Sequence, residues 1–415
     1  MSSYFPVDSD PSHVGARGNE YQAFGPVRQQ PYFSSPSHRG GPPSYSQGGP
    51  SSFERYQPRH LAPARPPSYF EQLAGLGLGI GNLLAENLLS HPCVVLRRQC
   101  QVNNRAGHYH LTPFTFAPVI YNLEVNQGIF CLWKGVSGTI VLRGLCFLSD
   151  NVFGDLFGLP KEVTRYSSAN RIFKHLALKT ITFVLTTPFA VASFIETVES
   201  IGASEPRRVF DCIREGLARL AEDLSGHRSS RRLPIWVLLG PSVAHRLSHY
   251  VISSMTRYGV HSLVKKNVLN KPAQQRTLFD DFFPDLFAAF ASNLLADAIL
   301  YPLETVVHRL YLQGTRTLVD NLDSGTGVIS ITTRYEGFVD CFRSIVREEG
   351  FGGLYKAFGA LVLQYALHML VLRLLRVVFE QLEETMRPKP APDAAGIRQV
   401  HRPAGEDEDD RGMIH

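Results

Sequence analysis

The sequence has few of the residue patterns that mark enzymes and metal proteins. Its six cysteines include no Cys-x-x-Cys pair, so we expect reduced thiols rather than a disulfide framework. Cys100, His108 and His110 are close in sequence, but they are more typical of a polar loop than of a metal site. No phosphate-binding loop, Gly-x-Ser-x-Gly or His-Glu-x-x-His is present. We therefore predict no enzymatic activity, no cofactor and no metal.

A strong net charge is also missing. The formal charge is +5 over 415 residues, and the positive residues form no stripe interleaved with aromatics, so nucleic-acid binding is not expected. The first residues include Asp8 and Asp10 and no apolar core, unlike a secretory signal. Frequent prolines there prevent the amphipathic helix of a transit peptide. We expect membrane targeting to depend on internal segments.

No long apolar run is free of polar residues, although six segments are mainly apolar: 70–99, 134–158, 172–199, 233–257, 281–312 and 357–385. Each is long enough to cross a bilayer, which takes about 20 helical residues. Several contain ionisable residues, such as Asp150, Arg246 and Asp297. Because such residues are costly against lipid, a membrane bundle must turn them inward. On hydropathy alone, a soluble helical bundle with polar faces remains an alternative.

Both ends of the chain have a different composition. Residues 1–69 are rich in Pro, Ser, Gly and Tyr, and residues 386–415 contain the acidic run Glu406–Asp410. Such segments cannot bury enough apolar surface to offset their ordering entropy, so we predict disordered tails. The first tail contains two Pro-Pro-x-Tyr sequences that could dock in a WW domain, with chance occurrence as the alternative: Pro42-Pro43-Ser44-Tyr45 and Pro66-Pro67-Ser68-Tyr69.

A proline motif occurs three times. The segment Tyr301–Arg309 has fainter copies at His91–Arg98 and Thr187–Ser193, and the prolines Pro92, Pro188 and Pro302 are 96 and 114 residues apart. Each copy is expected to end an apolar helix at its proline. A repeat of this length predicts a threefold helical architecture. We place the repeats at 70–165, 166–270 and 271–385.

Two of the repeats contain a second motif, which opens the next apolar segment. The residues are Gln127-Gly128 with Trp133-Lys134-Gly135 in the first repeat, and Glu349-Gly350 with Tyr355-Lys356-Ala357 in the third. A short amphipathic stretch precedes each motif. Each unit is therefore expected to contain a long helix, a short surface helix and a second long helix. Overlapping Gly-x-x-x-Gly pairs at 75–81 favour close helix packing in lipid.

These motifs resemble the mitochondrial carrier family, whose signature is Pro-x-acid-x-x-base-x-base, then acid-Gly and aromatic-base-Gly. The resemblance covers about 70–385 and is weakest in the second repeat. The segments His91–Val102, His108–Phe114 and Gln313–Thr317 resemble a divergent member of this family that resides in the mitochondrial outer membrane. The resemblance implies an all-α membrane protein with six transmembrane helices and both tails in the cytosol. It also implies membrane lipid, the outer-membrane fusion and fission machinery and the cristae-organising complex as partners.

Most of the charges that carriers use for gating are absent. In carriers, the acid two residues after one proline pairs with the base five residues after another, and three such pairs close the cavity. Here only Arg97 and Glu304 remain, and the family's ring order makes them neighbours; the other positions are Val94, Ala190, Ser193 and Val307. We predict a structural ion pair rather than a gate, since removing one partner of a buried pair costs about 3–5 kcal/mol.

The preferred interpretation is a non-transporting scaffold that regulates mitochondrial organisation, meaning fission–fusion balance, cristae maintenance and lipid supply. A solute carrier with an atypical cavity and a soluble helical interaction protein are the alternatives. The usual substrate-contact positions correspond to Leu142 and Gln364, and Arg143 is displaced by one residue, or about 100° on a helix. We therefore assign no substrate.

Overall fold

The computed structural model describes residues 77, 81, 85–164, 167–203, 208–226, 232–270 and 278–386. Most of both predicted tails and the two Pro-Pro-x-Tyr sequences lie outside these residues.

Long and short helices alternate along the described chain. The helices are α1 His91–Val102, α2 Ala117–Gln127, α3 Val136–Leu156, α4 Ala169–Val198, α5 Asp211–Ser225, α6 Ile235–Leu269, α7 Leu278–Leu312, α8 Phe338–Glu349 and α9 Phe358–Met386. A π-helical turn, Ala85–Leu89, precedes α1, and 3₁₀ turns at Ile129–Trp133 and Phe351–Tyr355 precede α3 and α9. The strands β1 Leu318–Asp320 and β2 Val328–Ser330 form an antiparallel hairpin after α7, which the all-α prediction did not include.

Three helices end at the same distance from the repeat prolines. α1 ends ten residues after Pro92, α4 ten after Pro188 and α7 ten after Pro302, that is, at 102, 198 and 312. The expectation that each proline ends an apolar helix is wrong for α4 and α7, which continue through it. A proline removes a single N–H donor, and packing of the surrounding helices offsets that loss.

The helices form a bundle whose long members pack as sequential neighbours. α3 packs on α4, α4 on α6, α6 on α7, α7 on α9, and α9 on α1. The final turns of α1, α4 and α7 also meet one another, and we call this region the closed end. Two clusters of buried apolar side chains lie there, one containing Phe194 and Leu310 and one containing Leu96 and Phe116. Of the three buried apolar clusters in the described residues, two therefore lie at the closed end.

Four described segments are long and apolar enough to cross a membrane: Ile129–Leu156, Ala169–Val198, Phe282–Leu312 and Phe351–Gln381. The prediction of a mainly helical membrane protein is confirmed at this level. α6 is not among the four, because polar residues such as His245 and Arg246 lower its hydropathy. It also continues twelve residues beyond the expected end at 257. Hydropathy detects only the mainly apolar part of a helix, whereas the helix itself continues into sequence that mixes polar and apolar residues.

Candidate functional site

An arginine from α1 faces two carboxylates of α7 at the closed end. Arg97 Nη2 lies 3.3 Å from Glu304 Oε1, and both side chains are almost fully buried. Arg97 Nη1 lies 3.9 Å from Asp297 Oδ2. Asp297 and Glu304 are seven residues apart, which places them two turns apart on one face of α7. The sequence predicted a pair of Arg97 with Glu304, whereas the structure places a second acid beside the arginine.

Asp297 connects this group to two further helices. His249 Nε2 of α6 lies 2.9 Å from Asp297 Oδ1, and the Tyr365 hydroxyl of α9 donates to Asp297 Oδ2 at 2.7 Å. Sequence reasoning treated Asp297 only as a polar interruption of an apolar segment. The spacing of seven residues between Asp297 and Glu304 was the sequence signal that could have predicted its place in the ionic group. The ionic group thus joins α1, α6, α7 and α9.

Aromatic stacking occupies the region near the lost charges of the second repeat. Phe194 stacks on His308 with ring centroids 4.4 Å apart, and the guanidinium of Arg98 lies 5.7 Å from the Phe194 centroid. Nδ1 of His308 is 2.6 Å from Gln101 Oε1. Such cation–π and stacked contacts are worth about 0.5–2 kcal/mol each. They join α1, α4 and α7 where a carrier ring would use ion pairs.

In the third repeat, the motif residues form one ionic cluster. Lys356 Nζ lies 2.5 Å from Glu349 Oε2, and Arg309 Nη2 donates to the same oxygen at 2.9 Å. Lys356 also donates to the Asn103 carbonyl oxygen at 2.8 Å, which connects the cluster to the end of α1. Lys356 and Arg309 are fully buried, so Glu349 neutralises two cations. Arg309, seven residues after Pro302, was not among the predicted site residues.

The first repeat has the same arrangement with its acid missing. Gln99 and Gln127 stand at the positions of Arg309 and Glu349, and Lys134 stands at the position of Lys356. The carboxylate comes instead from Asp320 on β1. Lys134 Nζ lies 2.7 Å from Asp320 Oδ2, Gln99 Nε2 donates to Oδ2 at 2.8 Å, and Gln127 Nε2 donates to Oδ1 at 3.0 Å. An acid from the third repeat therefore completes the first.

The hairpin that carries Asp320 is attached on several sides. The Ser200 N–H donates to the Leu318 carbonyl oxygen at 2.8 Å, and the Asn122 side chain donates to Ser324 at 2.8 Å. Asp323 accepts the Gly107 N–H at 2.8 Å. These contacts tie the hairpin to the ends of α1 and α4 and to α2. The hairpin therefore covers the outside of the closed end.

The environment of Asp320 favours its charged form. Burial opposes ionisation, but the charge of Lys134 and hydrogen bonds from Lys134 and Gln127 keep the pKa of Asp320 below its ordinary value. A carboxyl whose pKa is lowered by folding stabilises the fold above its unfolded pKa of about 4. That contribution is lost as the pH falls through the folded pKa. At neutral pH it is fully present.

The last residue of each aromatic-Lys motif has a left-handed backbone conformation. Gly135 has φ 69°, and a Cβ there would lie 2.5 Å from Thr197 Cγ2, so glycine meets both a conformational and a packing requirement. Ala357 takes the same conformation with φ 63° and costs about 1 kcal/mol more than glycine. Its N–H donates to the Tyr109 carbonyl oxygen at 2.8 Å, which helps to hold it.

The remaining motif residues pack around these clusters. Trp133 Nε1 donates to the Leu88 carbonyl oxygen at 2.8 Å, which ties the turn before α3 to the turn before α1. Tyr355 stacks on Tyr301 with centroids 5.9 Å apart, and Gly350 takes φ 72° at the end of α8. Tyr355 and Trp133 therefore anchor the start of α9 and α3 respectively.

A polar cavity of about 280 Å³ lies between α4, α6 and α7, on the other side of Asp297 from the closed end. It is lined by Phe183, His245, Arg246, His249, Tyr250, Ser253 and Asn293. The Arg246 guanidinium donates to Thr186 Oγ1 at 2.8 Å and lies 4.4 Å from the Phe183 ring centroid. No cluster of three metal-ligating side chains occurs in the part of the chain that the structure describes.

Charge reversal of the arginine group tests its structural role. We expect Arg97→Glu to lower protein abundance several-fold, because it places a third acid beside Asp297 and Glu304 and costs about 3–5 kcal/mol. Glu304→Arg should be milder, since Asp297 remains to compensate. The double swap should restore part of the abundance on immunoblots of mitochondria. Equal abundance of every variant, including the exposed control Arg347→Glu, would contradict this role.

The replacement carboxylate can be tested by moving it. Asp320→Asn leaves Lys134 buried without a carboxylate, so we expect a loss of thermal stability in detergent of about 3–5 kcal/mol. Adding Gln127→Glu should restore much of it, because this places the acid where Glu349 stands in the third repeat. Glu348→Gln, at an exposed position of α8, is the control for loss of one carboxylate. A double variant no more stable than Asp320→Asn alone would refute the substitution of one acid for the other.

Comparisons with known proteins agree with the motifs and the geometry. The family model described as mitochondrial carrier protein matches residues 280–388. The mitochondrial outer membrane protein SLC25A46 of Homo sapiens is 39% identical over 381 residues, which are 91% of this chain and 89% of the relative. The Gallus gallus protein of that name is 43% identical over 316 residues, covering 75% and 77%, and the Danio rerio protein is 41% identical over 335 residues, covering 78% and 82%.

The matched region includes the third-repeat cluster of Arg309, Glu349 and Lys356, and the relatives extend the likeness over most of the chain. Their common location, together with the membrane-span candidates, assigns the chain to the mitochondrial outer membrane. The chain belongs to the mitochondrial carrier family, and within it to the group of outer-membrane proteins related to SLC25A46.

Proposed function

We propose that the chain is a non-transporting scaffold that crosses the outer membrane six times and keeps both tails in the cytosol. Two observations favour six spans over the four found by hydropathy. α6 runs antiparallel to α7, with His249 beside Asp297 and His261 beside Asp285. Before α1, Gly77 and Gly81 are helical and lie against Phe379 and Leu375 of α9. These contacts support α6 and the segment before α1 as the two further spans.

The closed end carries the argument against transport. Alternating access requires two conformations within a few kcal/mol of each other. Opening here would separate Arg97 from Asp297 and Glu304, unstack Phe194 from His308, and detach the Asp320 hairpin from α1 and α4. When a carrier opens, other ion pairs replace those of the ring. Here no alternative contacts would replace the aromatic stacking and the hairpin contacts that opening would break. These layers support a permanently closed bundle.

The biological role follows from the family resemblance. We propose that the scaffold acts in fission–fusion balance, cristae maintenance and lipid supply, with the outer-membrane fusion and fission machinery and the cristae-organising complex as partners. Membrane lipid surrounds the bundle. A WW-domain protein is a further proposed partner, through Tyr45 and Tyr69 of the first tail. No catalytic reaction is part of this proposal.

A solute carrier with an atypical cavity is the second candidate, and the polar cavity beside Arg246 favours it. Such a cavity, with one cation and several hydrogen-bonding side chains, suits a small anion. The two candidates differ in whether that cavity must remain open.

Filling the cavity separates the two candidates. We expect Ser253→Phe and Asn293→Phe, which place bulky apolar groups in it, to support a normal mitochondrial network as well as the wild type does in cells lacking the protein. Met255→Phe, on an exposed position of the same helix, is the matched control. Comparison is made at equal protein abundance, with Ser253→Val as a smaller change if the larger ones misfold. Loss of network rescue by the cavity variants alone would favour transport.

Membrane topology tests the number of spans. With a tag at each terminus, we expect protease added to intact mitochondria to remove both tags while an intermembrane-space marker stays protected. An even number of spans places both termini on one side, and the outer membrane exposes that side to the protease. Protection of one tag would require an odd number of spans, and protection of both would reverse the orientation.

A further inference from the structure

The end of α6 extends beyond its neighbours on the side opposite the closed end. The Tyr258 hydroxyl donates to the carbonyl oxygen of Val163, in the connection between α3 and α4. α6 continues eleven residues further, to Leu269, which is about 17 Å at 1.5 Å per residue. The start of α7 accompanies it, with Asp285 3.6 Å from His261. The two helices therefore project past the level at which α3 ends and α4 begins.

Beyond Tyr258, one side of α6 combines exposed apolar and basic side chains. Leu263, Lys265, Lys266 and Leu269 share this side at 100° per residue, and we call them the projecting face. Leu263 is 64% exposed and Leu269 is 54% exposed, whereas Val268, on the other side of the helix, is buried. Both leucines thus expose more than half of their surface in the described bundle.

The projecting face is also positively charged. Lys265 and Lys266 are exposed, and α6 contains no acidic residue. The ion pair of His261 with Asp285 on the same projection involves neither lysine. A partner of matching chemistry would combine acidic and apolar residues in a short segment.

The chain itself contains such a segment. Glu406–Asp410 is a run of five acids, and Met413 and Ile414 follow it. The described chain ends with α9 at Met386, on the same side as the projection, because Arg376 of α9 interacts with Asp280 at the start of α7. Nineteen residues lie between 386 and 406, and a random coil of that length would span about 25 Å on average. α6 and α9 both pack on α7, and the axes of packed helices are about 8–10 Å apart, so α6 and α9 lie at most about 20 Å apart. The acidic segment can therefore reach α6.

We propose that the acidic C-terminal segment docks on the projecting face of α6, with its carboxylates on Lys265 and Lys266 and its apolar residues on Leu263 and Leu269. Docking covers the exposed apolar side chains and provides counter-charges for both lysines. It also makes this surface unavailable to other proteins while the tail is bound.

Anionic lipid of the same membrane is a weaker candidate for this face. Lys266 is eight residues beyond Tyr258, or about 12 Å further along the helix axis. The screening length at physiological salt is about 8 Å, so only headgroups within about that distance of the lysines would attract them appreciably. A tethered acidic segment has no such limitation, because its local concentration is in the millimolar range.

A labelled peptide of residues 401–415 tests the proposal on protein in zwitterionic lipid nanodiscs. We expect the peptide to bind a chain truncated after Arg402, and to bind the full-length chain at least about tenfold more weakly because the tethered segment competes. Lys265→Glu with Lys266→Glu should weaken binding to the truncated chain about tenfold, as expected for reversal of two exposed charges. Arg343→Glu with Arg347→Glu on α8 is the matched control and should leave binding unchanged.

Three outcomes would overturn the proposal. Equal peptide binding by the full-length and truncated chains would mean that the tail does not occupy the face. Equal binding by the lysine variant and the control would place the peptide elsewhere. Displacement of the peptide by vesicles containing anionic lipid, with equal vesicle binding by the full-length chain, would assign the face to lipid instead.

Discussion

Two lysines are buried where surface helices meet long helices, and the closed end depends on a carboxylate for each of them. Lys356 receives Glu349 from its own repeat. The two residues lie on either side of the turn Phe351–Tyr355. Lys134 receives Asp320, 186 residues away in the sequence. A buried ammonium without a counter-charge is among the costliest defects a fold can contain. The position of the β-hairpin, and with it the outer cover of the closed end, follows from this requirement.

The first and third repeats therefore solve one electrostatic problem in two ways. In the third repeat, the acid lies within the repeat motif, so Arg309, Glu349 and Lys356 form a local cluster. In the first, two glutamines replace charged residues and donate to an acid from elsewhere. The consequence is a further ionic link between the first and third repeats. Loss of the family's local charges has made the bundle more dependent on contacts between repeats.

Local sequence contained part of this arrangement. Proline spacing identified the three equivalent helices, and the ring order implied by the carrier resemblance predicted Arg97 near Glu304, which the structure places 3.3 Å apart. Asp297 was missed because a single acid in an apolar segment does not indicate which neighbour it meets. Asp320 lies in an insertion without a counterpart in the other repeats, so no alignment of the repeats could assign it to Lys134. The length of α6 was underestimated because its last three turns mix apolar residues with polar ones such as Lys265 and Lys266.

The origin of the Asp320 carboxylate also constrains how the protein is made. Lys134 is synthesised long before residue 320, so during synthesis its ammonium group has no carboxylate to bind. Until the hairpin has been synthesised, Lys134 must stay hydrated or the turn before α3 must remain unpacked. The first third of the chain therefore cannot reach its final packing as an independent unit. The bundle is completed only when the last third of the chain has been synthesised. A chain interrupted before the hairpin would leave an unneutralised cation at the start of α3.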